Sequence, residues 1–168
     1  MQDVIETNRL TLRPPVDADG EVVIGGFNDF DVVKWLANPP YPFRQSDLHL
    51  RLEDGSSRWP GLACIEHRGA MIGMVSAEPH FGYWLLKHAW GHGFATEAGR
   101  AMRDAAFHRG ADYISSGYFA GNTASEAVLT KLGFQHVGES RQWCEARQQT
   151  LPHHDMWLDR SDWDAATA

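Results

Sequence analysis

Two glycines, Gly91 and Gly93, stand one residue apart where an apolar run gives way to a segment of helical periodicity. Because glycine has no Cβ, the backbone N–H groups at such a corner can approach a bulky anion closely. The first-turn amides of a helix have no intrahelical acceptor, and its N-terminus carries roughly half a positive charge. The pair therefore predicts a phosphate-binding corner, although a tight strand-to-helix turn would use the same two glycines.

Two common nucleotide-binding motifs do not fit this corner. A dinucleotide-binding loop needs a third small residue after the two glycines, and Thr96 stands at that position. Asp112 lies at about the right distance for a ribose contact, but it opens the next predicted strand instead of closing it. A Walker loop is excluded because no Gly-Lys-Ser/Thr follows.

The nine histidines and two cysteines raise the possibility of metal or covalent chemistry. His88 and His92 are four residues apart, but Gly91 interrupts a helix that would bring them together, and the His153-His154-Asp155 run supplies no known zinc spacing. Cys64 and Cys144 have no CxxC spacing, and no GxSxG elbow is present. We expect neither a metal site nor a covalent nucleophile.

The strands that hold these residues are indicated by alternating or β-rich runs between turn signals. The first such run ends at Pro14-Pro15, and Arg68-Gly69-Ala70 is a plausible tight hairpin connection. The predicted strands are 9–13, 59–67, 71–77, 81–86, 112–119, 134–138 and 155–158.

The helices are indicated by capping residues and by a period of 3.6. They are predicted after Asp29 or Asp31, from Ser46 and Asp47 toward Gly55, from Phe94 to Gly110, and from Asn122 to Leu132. The longest should present one apolar face made of Phe94, Ala98, Ala101, Met102 and Ala105. The order of elements predicts an α+β fold with a mixed, mostly antiparallel sheet, with its chemistry where Leu86 gives way to Gly91.

Size and charge limit the classes of function. A chain of 168 residues with seven Trp can bury one sizeable core, so a single domain over 1–168 is expected. The net charge of -7 argues against nucleic acid as a partner. We expect no membrane span and no signal peptide, and hence a cytoplasmic protein. A homodimer remains open, because the oligomeric state cannot be derived from the sequence.

Two longer segments resemble a known family. Segment 81–98 (FGYWLLKHAWGHGFATEA) resembles the acetyl-CoA-binding motif of the GNAT acetyltransferase superfamily, and segment 122–134 (NTASEAVLTKLGF) resembles its second motif. Segments 7–14 (TNRLTLRP) and 154–158 (HDMWL) are similar to the subgroup that contains the ribosomal-protein N-terminal acetyltransferases. The resemblance spans nearly the whole chain.

The resemblance implies a cofactor site made mostly of main chain. A central strand pair should splay apart, and Leu85 and Leu86 should offer backbone groups to the pantetheine arm of acetyl-CoA. The pattern from His88 through Gly91, His92 and Gly93 should bind the pyrophosphate together with the amide of Phe94. His88 departs from the Arg or Gln usual in the family, which removes one polar or positive side chain at neutral pH.

The second motif and the adjacent turn supply the remaining site residues. Asn122 matches a cofactor-binding position, although it would also be an ordinary helix N-cap. Ser125 matches a serine near the thioester sulfur that could protonate the departing thiolate. Many relatives place a tyrosine acid where this chain has Leu129. Lys131 is predicted either to reach a CoA phosphate or to be a surface lysine.

The residue that removes a proton from the acceptor is the least determined. Glu78 and His80 are the candidates, since they lie in the short connection before the third strand of the meander. Both could equally be ordinary turn residues.

The implied function is N-acetylation of a primary amine that attacks acetyl-CoA directly. The backbone amide of Leu85, or its neighbour, would act as the oxyanion donor. The acceptor is predicted to be a protein or peptide α-amine. A small-molecule acetyltransferase acting on an antibiotic or polyamine and a non-catalytic acyl-CoA-sensing module are the alternatives.

Overall fold

The computed structural model describes residues 4–49, 61–78 and 80–167. Its strands form two antiparallel sheets, one of five strands in the order β1-β2-β3-β4-β5 and one of three in the order β6-β8-β7. The strands are β1 (Ile5–Glu6), β2 (Thr11–Arg13), β3 (Leu62–His67), β4 (Ala70–Ser76), β5 (Gly82–Leu85), β6 (Tyr113–Phe119), β7 (Gln135–Cys144) and β8 (Gln149–Asp159).

The two sheets meet along a single short contact between β5 and β6. His80 and Ser115 form an isolated parallel bridge, and the amide of Phe81 donates to the carbonyl of Ser115 at 2.8 Å. Beyond this point no ladder joins the described parts of the two strands. They therefore diverge as a splayed central pair, and the predicted mixed α+β fold is confirmed.

Helices cover both faces of the sheets. They are α1 (Gly20–Phe27), α2 (Phe30–Val33), α3 (Phe94–His108), α4 (Thr123–Lys131) and α5 (Arg160–Thr167), with short 3-10 helices at Asp17–Asp19, Gln45–Asp47 and Lys87–Ala89. None of the helices built from described residues has the length and apolar character needed to cross a bilayer.

The long helix α3 confirms most of its predicted face. Phe94, Ala98 and Met102 are buried, whereas Ala101 and Ala105 are only half-buried. Ala106 and Phe107 are buried instead because α5 packs against this helix, with Trp163 stacked on Phe107 at a centroid distance of 5.0 Å.

The hairpin between β3 and β4 has the turn that its sequence predicts. Arg68 and Gly69 both have positive φ, 53° and 79°, as the two central residues of a type I′ turn require. The predicted start of β3 at Trp59 and the predicted helix from Ser46 toward Gly55 extend into residues outside those described. The part of that helix that is described, Gln45–Asp47, is a 3-10 turn.

Other element predictions were wrong in extent or missing. The strands predicted at 134–138 and 155–158 are the ten-residue β7 and the eleven-residue β8. Their additional residues pair with each other, and this tertiary pairing outweighs the weak local signal of a polar segment. Neither α1, which contains three glycines, nor the C-terminal α5 was predicted.

The helices enclose apolar clusters on opposite faces of the first sheet. Phe81, Leu85 and Val75 pack in the cluster beneath α3 and α4. Trp84 and Met74 pack in the cluster beside α1. Successive residues of β5 thus point to opposite faces, as in any strand.

A buried ion pair ties the edge of the sheet to α1. Both terminal nitrogens of Arg13 donate to Asp19, at 2.9 and 2.8 Å, and Nε of Arg13 donates to Glu66 at 2.8 Å. Burial disfavours the Asp19 carboxylate, but the hydrogen bonds from Arg13, the Val16 amide and the Cys64 thiol outweigh it and lower the pKa of Asp19.

We predict that Asp19→Asn lowers the free energy of unfolding by about 1–3 kcal/mol, because the change removes the buried carboxylate that pairs with Arg13, while Glu66 still accepts from Nε of Arg13. The contribution of Asp19 should be complete above its ordinary pKa of 3.8 and should be lost as the pH falls through the lower folded-state value. Urea unfolding of the original protein and of the Asp19→Asn variant at pH 7 and pH 3 measures the contribution of Asp19 to the free energy of unfolding. An equal loss of stability on acidification in the two chains would contradict the assignment.

Candidate active site

A cavity of about 800 Å³ occupies the gap between β5 and β6 and opens onto both faces of the sheet. Gly93 at the start of α3 lines one part, and Ser125 on α4 lines another. On the opposite face its walls include Trp35, Trp84 and His153. The cavity therefore joins the predicted phosphate corner to the side of α1 and α2.

The phosphate corner has the geometry that its glycines predict. Gly91 and Gly93 have φ values of 75° and 78°, and Gly93 is the N-cap of α3. The amide of Glu97 donates to the Gly93 carbonyl at 3.0 Å, which is the first hydrogen bond of the helix. The amides of the first turn come before Glu97 and therefore have no acceptor within the helix. A Cβ at Gly91 would meet nothing within 4 Å, which leaves this side of the loop open.

The histidines of this segment lie outside the cavity lining. His88 is exposed and lines a separate small cleft beside α1, and the imidazole of His92 is also exposed. His92 contributes its carbonyl, which accepts from Arg9 at 2.9 Å. Any contact of these two residues with a bound phosphate would therefore come mainly from the main chain, as the sequence predicted for this corner.

Arg9 is a site residue that sequence analysis missed. Its guanidinium lies 4.7 Å from the Phe94 ring centroid and 3.5 Å from the position of a Cβ on Gly93. Glu97 fixes it by a 2.7 Å bond to Nε. This cation beside the first turn of α3 adds to the positive potential of the helix end. The separation of 88 positions between Arg9 and Glu97 explains why no local pattern indicated the pair.

The peptide groups of β5 face alternately toward β4 and toward the gap. The Leu86 amide donates to the Ile72 carbonyl at 2.8 Å, so in this register the peptide groups at 82, 84 and 86 bond to β4. The peptide groups of Tyr83 and Leu85 consequently face the gap. The Leu85 carbonyl accepts from the Trp90 indole at 2.9 Å, which leaves its N–H directed into the cavity.

This alternation corrects the prediction for Leu86. Its N–H belongs to the sheet, and Leu86 is outside the described cavity lining. Tyr83 takes the backbone position that sequence analysis gave to Leu86.

The three residues of the second motif that the sequence predicted for the site all reach the cavity. Asn122 and Ser125 line it, and the Asn122 side chain also caps α4 by accepting from the Ser125 amide at 3.2 Å. Asn122 is therefore an N-cap and a lining residue at once. Lys131 lines the cavity from the last turn of α4.

Tyr83 supplies a hydroxyl beside Ser125 that sequence analysis did not consider. Burial raises the pKa of Tyr83, and a hydrogen bond with Ser125 partly offsets that rise. The family's usual tyrosine position holds the buried Leu129. The alternation of β5 was the available signal, since it puts Tyr83 on the same face as Phe81 and Leu85, which pack beneath α3 and α4.

The two predicted proton acceptors are separated by the fold. His80 lines the cavity, and its Nδ1 lies 3.0 Å from Oγ of Ser115. Desolvation, and then the neighbouring His153, lower the pKa of His80. Glu78 is outside the described lining and pairs with Arg109 at 2.8 Å. The structure thus brings His80 to the site and not Glu78.

His153 also lines the cavity, on the same face as His80. Its Nδ1 lies 2.9 Å from Oδ1 of Asp155, and its side chain is 12% exposed. Sequence analysis considered this histidine only as a metal ligand.

Within the described residues, one group of side chains has metal-ligand chemistry. His136, Glu139 and His154 hold ligand atoms within 4.8 Å of one another. They are exposed or half-buried, and such groups commonly meet at a surface without an ion, so we assign them no role. Cys64 and Cys144 are buried free thiols, and burial with the adjacent Asp19 raises the pKa of Cys64 to about 12.

Comparison with known proteins finds relatives over most of the chain. Residues 9–135 match the family model described as acetyltransferase (GNAT) domain. The uncharacterised N-acetyltransferase YoaA of Bacillus subtilis is 29% identical over 161 residues, covering 85% of this chain and 89% of that protein.

Solved structures share the fold at low identity. RimL, a ribosomal L7/L12 alpha-N-protein acetyltransferase in complex with coenzyme A, superposes with a TM-score of 0.74 at 18% identity, covering 94% of this chain and 98% of that one. The microcin C7 self-immunity acetyltransferase MccE, in complex with acetyl-CoA and AMP, superposes with a TM-score of 0.75 at 18% identity, covering 91% and 93%.

We predict that Gly93→Val weakens acetyl-CoA binding at least about tenfold, a loss of about 1.4 kcal/mol, because it puts a branched side chain at the phosphate corner. His88→Ala should change the dissociation constant by less than about twofold, since its side chain is outside the cavity. Isothermal titration with acetyl-CoA measures both.

Gly110→Val is the matched control for backbone strain. Gly110 follows the other end of α3, has a φ of 104°, and has nothing within 4 Å of its Cβ position, whereas that of Gly93 lies 3.5 Å from the Arg9 guanidinium. The Gly110→Val variant should lose stability, as Gly93→Val does, but should keep its affinity for acetyl-CoA. Equal losses of affinity at positions 88 and 93 would show that the His88 side chain contributes as much as the bare loop.

Proposed function

The chain belongs to the GNAT acetyltransferase family and is an acetyl-CoA-dependent acetyltransferase, and from that premise we propose that it acetylates free α-amines of peptides or proteins. The observation that carries the proposal is the splayed gap between β5 and β6. It joins a glycine-rich helix start to peptide groups of β5 that pair with no other strand among the described residues, and to a second face lined by imidazoles and aromatic rings.

The donor half of the site would bind acetyl-CoA through main-chain groups. The pyrophosphate would meet the amides after Gly91 and Gly93, with the Arg9 charge beside them. The pantetheine arm would lie along the gap-facing peptide groups of Tyr83 and Leu85, in place of a paired strand. The free N–H of Leu85 is then the candidate donor to the developing oxyanion.

The departing thiolate needs a proton, and the α4 side of the gap offers two hydroxyls. Ser125 is the donor predicted from the family resemblance, and Tyr83 lies in hydrogen-bond contact with it. Because burial raises the pKa of Tyr83, its hydroxyl is protonated at neutral pH and can pass a proton through Ser125.

Two features favour an α-amine over a polycationic acceptor. Asp47 is the one carboxylate among the described residues that line the cavity, so a polyamine or aminoglycoside would find little charge to balance its own. An α-amine has a pKa near about 7.7–8.0, against about 10.4 for lysine. Only a neutral amine can attack the thioester, and an α-amine is already partly neutral at pH 7.

Related folds do not decide the acceptor. RimL is named for a ribosomal protein α-amine and MccE for a microcin, and both superpose on this chain equally well. Small-molecule acetylation and acyl-CoA sensing are therefore the alternatives that the following assay must exclude.

We predict that peptides with a free N-terminus are better acceptors at pH 7 than N-blocked peptides whose only amine is a lysine. The rate constant kcat/KM for each series should rise with pH, and the advantage of the free N-terminus should narrow toward about pH 10, where the lysine amine also becomes neutral. Release of free CoA thiol, followed across that range, measures both series. Spermidine and an aminoglycoside complete the panel.

Better turnover of the lysine-only peptides at pH 7 would overturn the α-amine assignment. Preference for spermidine would favour the small-molecule alternative. A chain that binds acetyl-CoA yet releases CoA no faster than buffer with every amine would be the sensing module.

We predict that Ser125→Ala lowers kcat by about 10²-fold, the usual contribution of a positioned proton donor, with the affinity for acetyl-CoA within about twofold of the original. Tyr83→Phe should lower kcat by a smaller factor if it acts through Ser125. Thr130→Ala, an exposed change on the same helix, is the control. Unchanged kcat in Ser125→Ala, under conditions where chemistry limits the rate, would make Ser125 an ordinary helix residue.

A further inference from the structure

The imidazole of His153 lies across the backbone of β6 at a glycine. In the register of β6 and β8, His153 is paired with Phe119 and Asp155 with Gly117. A Cβ on Gly117 would come within 2.8 Å of His153 Nε2 and still closer to Cε1. The ring can therefore reach over β6 toward the gap only because residue 117 has no side chain.

Asp155 determines which nitrogen of His153 can accept a proton. Burial disfavours its charge, but the hydrogen bonds from His153 and from Ser140, at 2.9 Å each, lower the pKa of Asp155 and keep it ionised. An ionised carboxylate only accepts hydrogen bonds, so Nδ1 of a neutral His153 must be the protonated nitrogen. The lone pair then lies on Nε2, on the side of the ring away from Asp155.

The two faces of the gap hold different groups. Directly opposite residues of antiparallel strands share a face, and their neighbours along each strand take the other face. His153, Gly117 and Asp155 therefore share one face. Tyr118 and His154, which are paired with each other, lie on the face of the cluster beneath α3 and α4. The proton donors Ser125 and Tyr83 belong to that second face, so His153 approaches the cavity from the opposite side.

We propose that His153 is the catalytic base that takes the proton from the acceptor amine, and that Asp155 is its positioning residue. This rests on the proposed function. The amine nitrogen forms a bond to the acetyl carbonyl carbon, and the C–S bond breaks. The amine proton passes to Nε2 of His153, and the thiolate takes a proton from the Ser125 side. His153 then gives its proton to solvent, and the Ser125 side takes one back from solvent.

The groups that face His153 are consistent with this role. His80 approaches from the connection before β5, and desolvation with the charge of His153 favours its neutral form. Asp155 lies on the same strand, Ser140 on β7 donates to Asp155, and His136 acts on Asp155 through its charge. The ring of Phe119 packs edge-on at a centroid distance of 5.6 Å. The carboxylate of Asp155 thus stabilises the imidazolium that forms when the amine is deprotonated.

The test compares His153→Asn with His154→Asn, which removes the neighbouring imidazole from the other face of β8. The probes are a lysine-free peptide with a free N-terminus, an N-blocked peptide with a single lysine, and spermidine. His153→Asn should lower kcat/KM at pH 7 by about 10²-fold or more and leave the dissociation constant of acetyl-CoA within about twofold. His154→Asn should keep its activity, and Asp155→Asn should show a smaller loss than His153→Asn.

The pH profile separates a catalytic base from a structural side chain. With the free-N-terminus peptide, the pH of half-maximal kcat/KM should move upward in His153→Asn, toward the acceptor's own pKa of about 7.7–8.0. The loss of kcat/KM in His153→Asn should be greater for the lysine acceptor, because the lysine amine stays protonated to a higher pH. A purely structural role would lower the rate at all pH values without this displacement.

Four outcomes overturn the inference. An unchanged rate in His153→Asn, or an equal loss in His154→Asn, would remove His153 as the base. A lower rate with an unmoved pH profile would reduce it to a structural residue. If the unsubstituted protein released no CoA with any of the amines, the proposed function would be overturned, and the inference with it.

Discussion

The separation of β5 from β6 is the constraint on which the rest of the site depends. Two parallel neighbours in a sheet would normally satisfy each other's peptide groups, because buried N–H and C=O groups without partners are costly. Here the pairing stops after the contact of His80 and Phe81 with Ser115. The peptide groups of Tyr83 and Leu85 then face a cavity, and an acyl chain with amide groups of its own is a suitable partner for them.

The gap also separates hydroxyl groups from imidazoles. Strand alternation directs Tyr83 toward α4 and Ser125, whereas His80 and His153 approach from the side of α1 and α2. Under the proposed mechanism, a substrate whose two halves enter from opposite faces would meet a proton donor on one side and a base on the other. That mechanism needs no nucleophilic side chain, because the amine itself would attack the thioester.

Long-range contacts hold the chemistry in place. Glu97 on α3 binds Arg9, and the hydroxyl of Thr7 donates to the same carboxylate at 2.7 Å. The start of the chain is thereby fixed beside the phosphate corner. On the other side, the pairing of β8 with β6 sets His153 over Gly117, and the contact of β8 with β7 brings Ser140 to Asp155. A shift of one residue in β8 would move His153 and Asp155 to the opposite face of the sheet.

The sequence by itself determined the local chemistry of this protein. Glycines at 91 and 93, the Asn122 cap and the Arg68-Gly69 turn follow from backbone preferences within a few residues, and all three features are found in the structure. The tertiary structure decided which side chains share the cavity. Tyr83 and His153 join the motif residues in the cavity lining, Arg9 is held beside the phosphate corner by Glu97, and Glu78 pairs with Arg109 instead. These placements depend on strand register and on pairing between distant segments, which no local periodicity encodes.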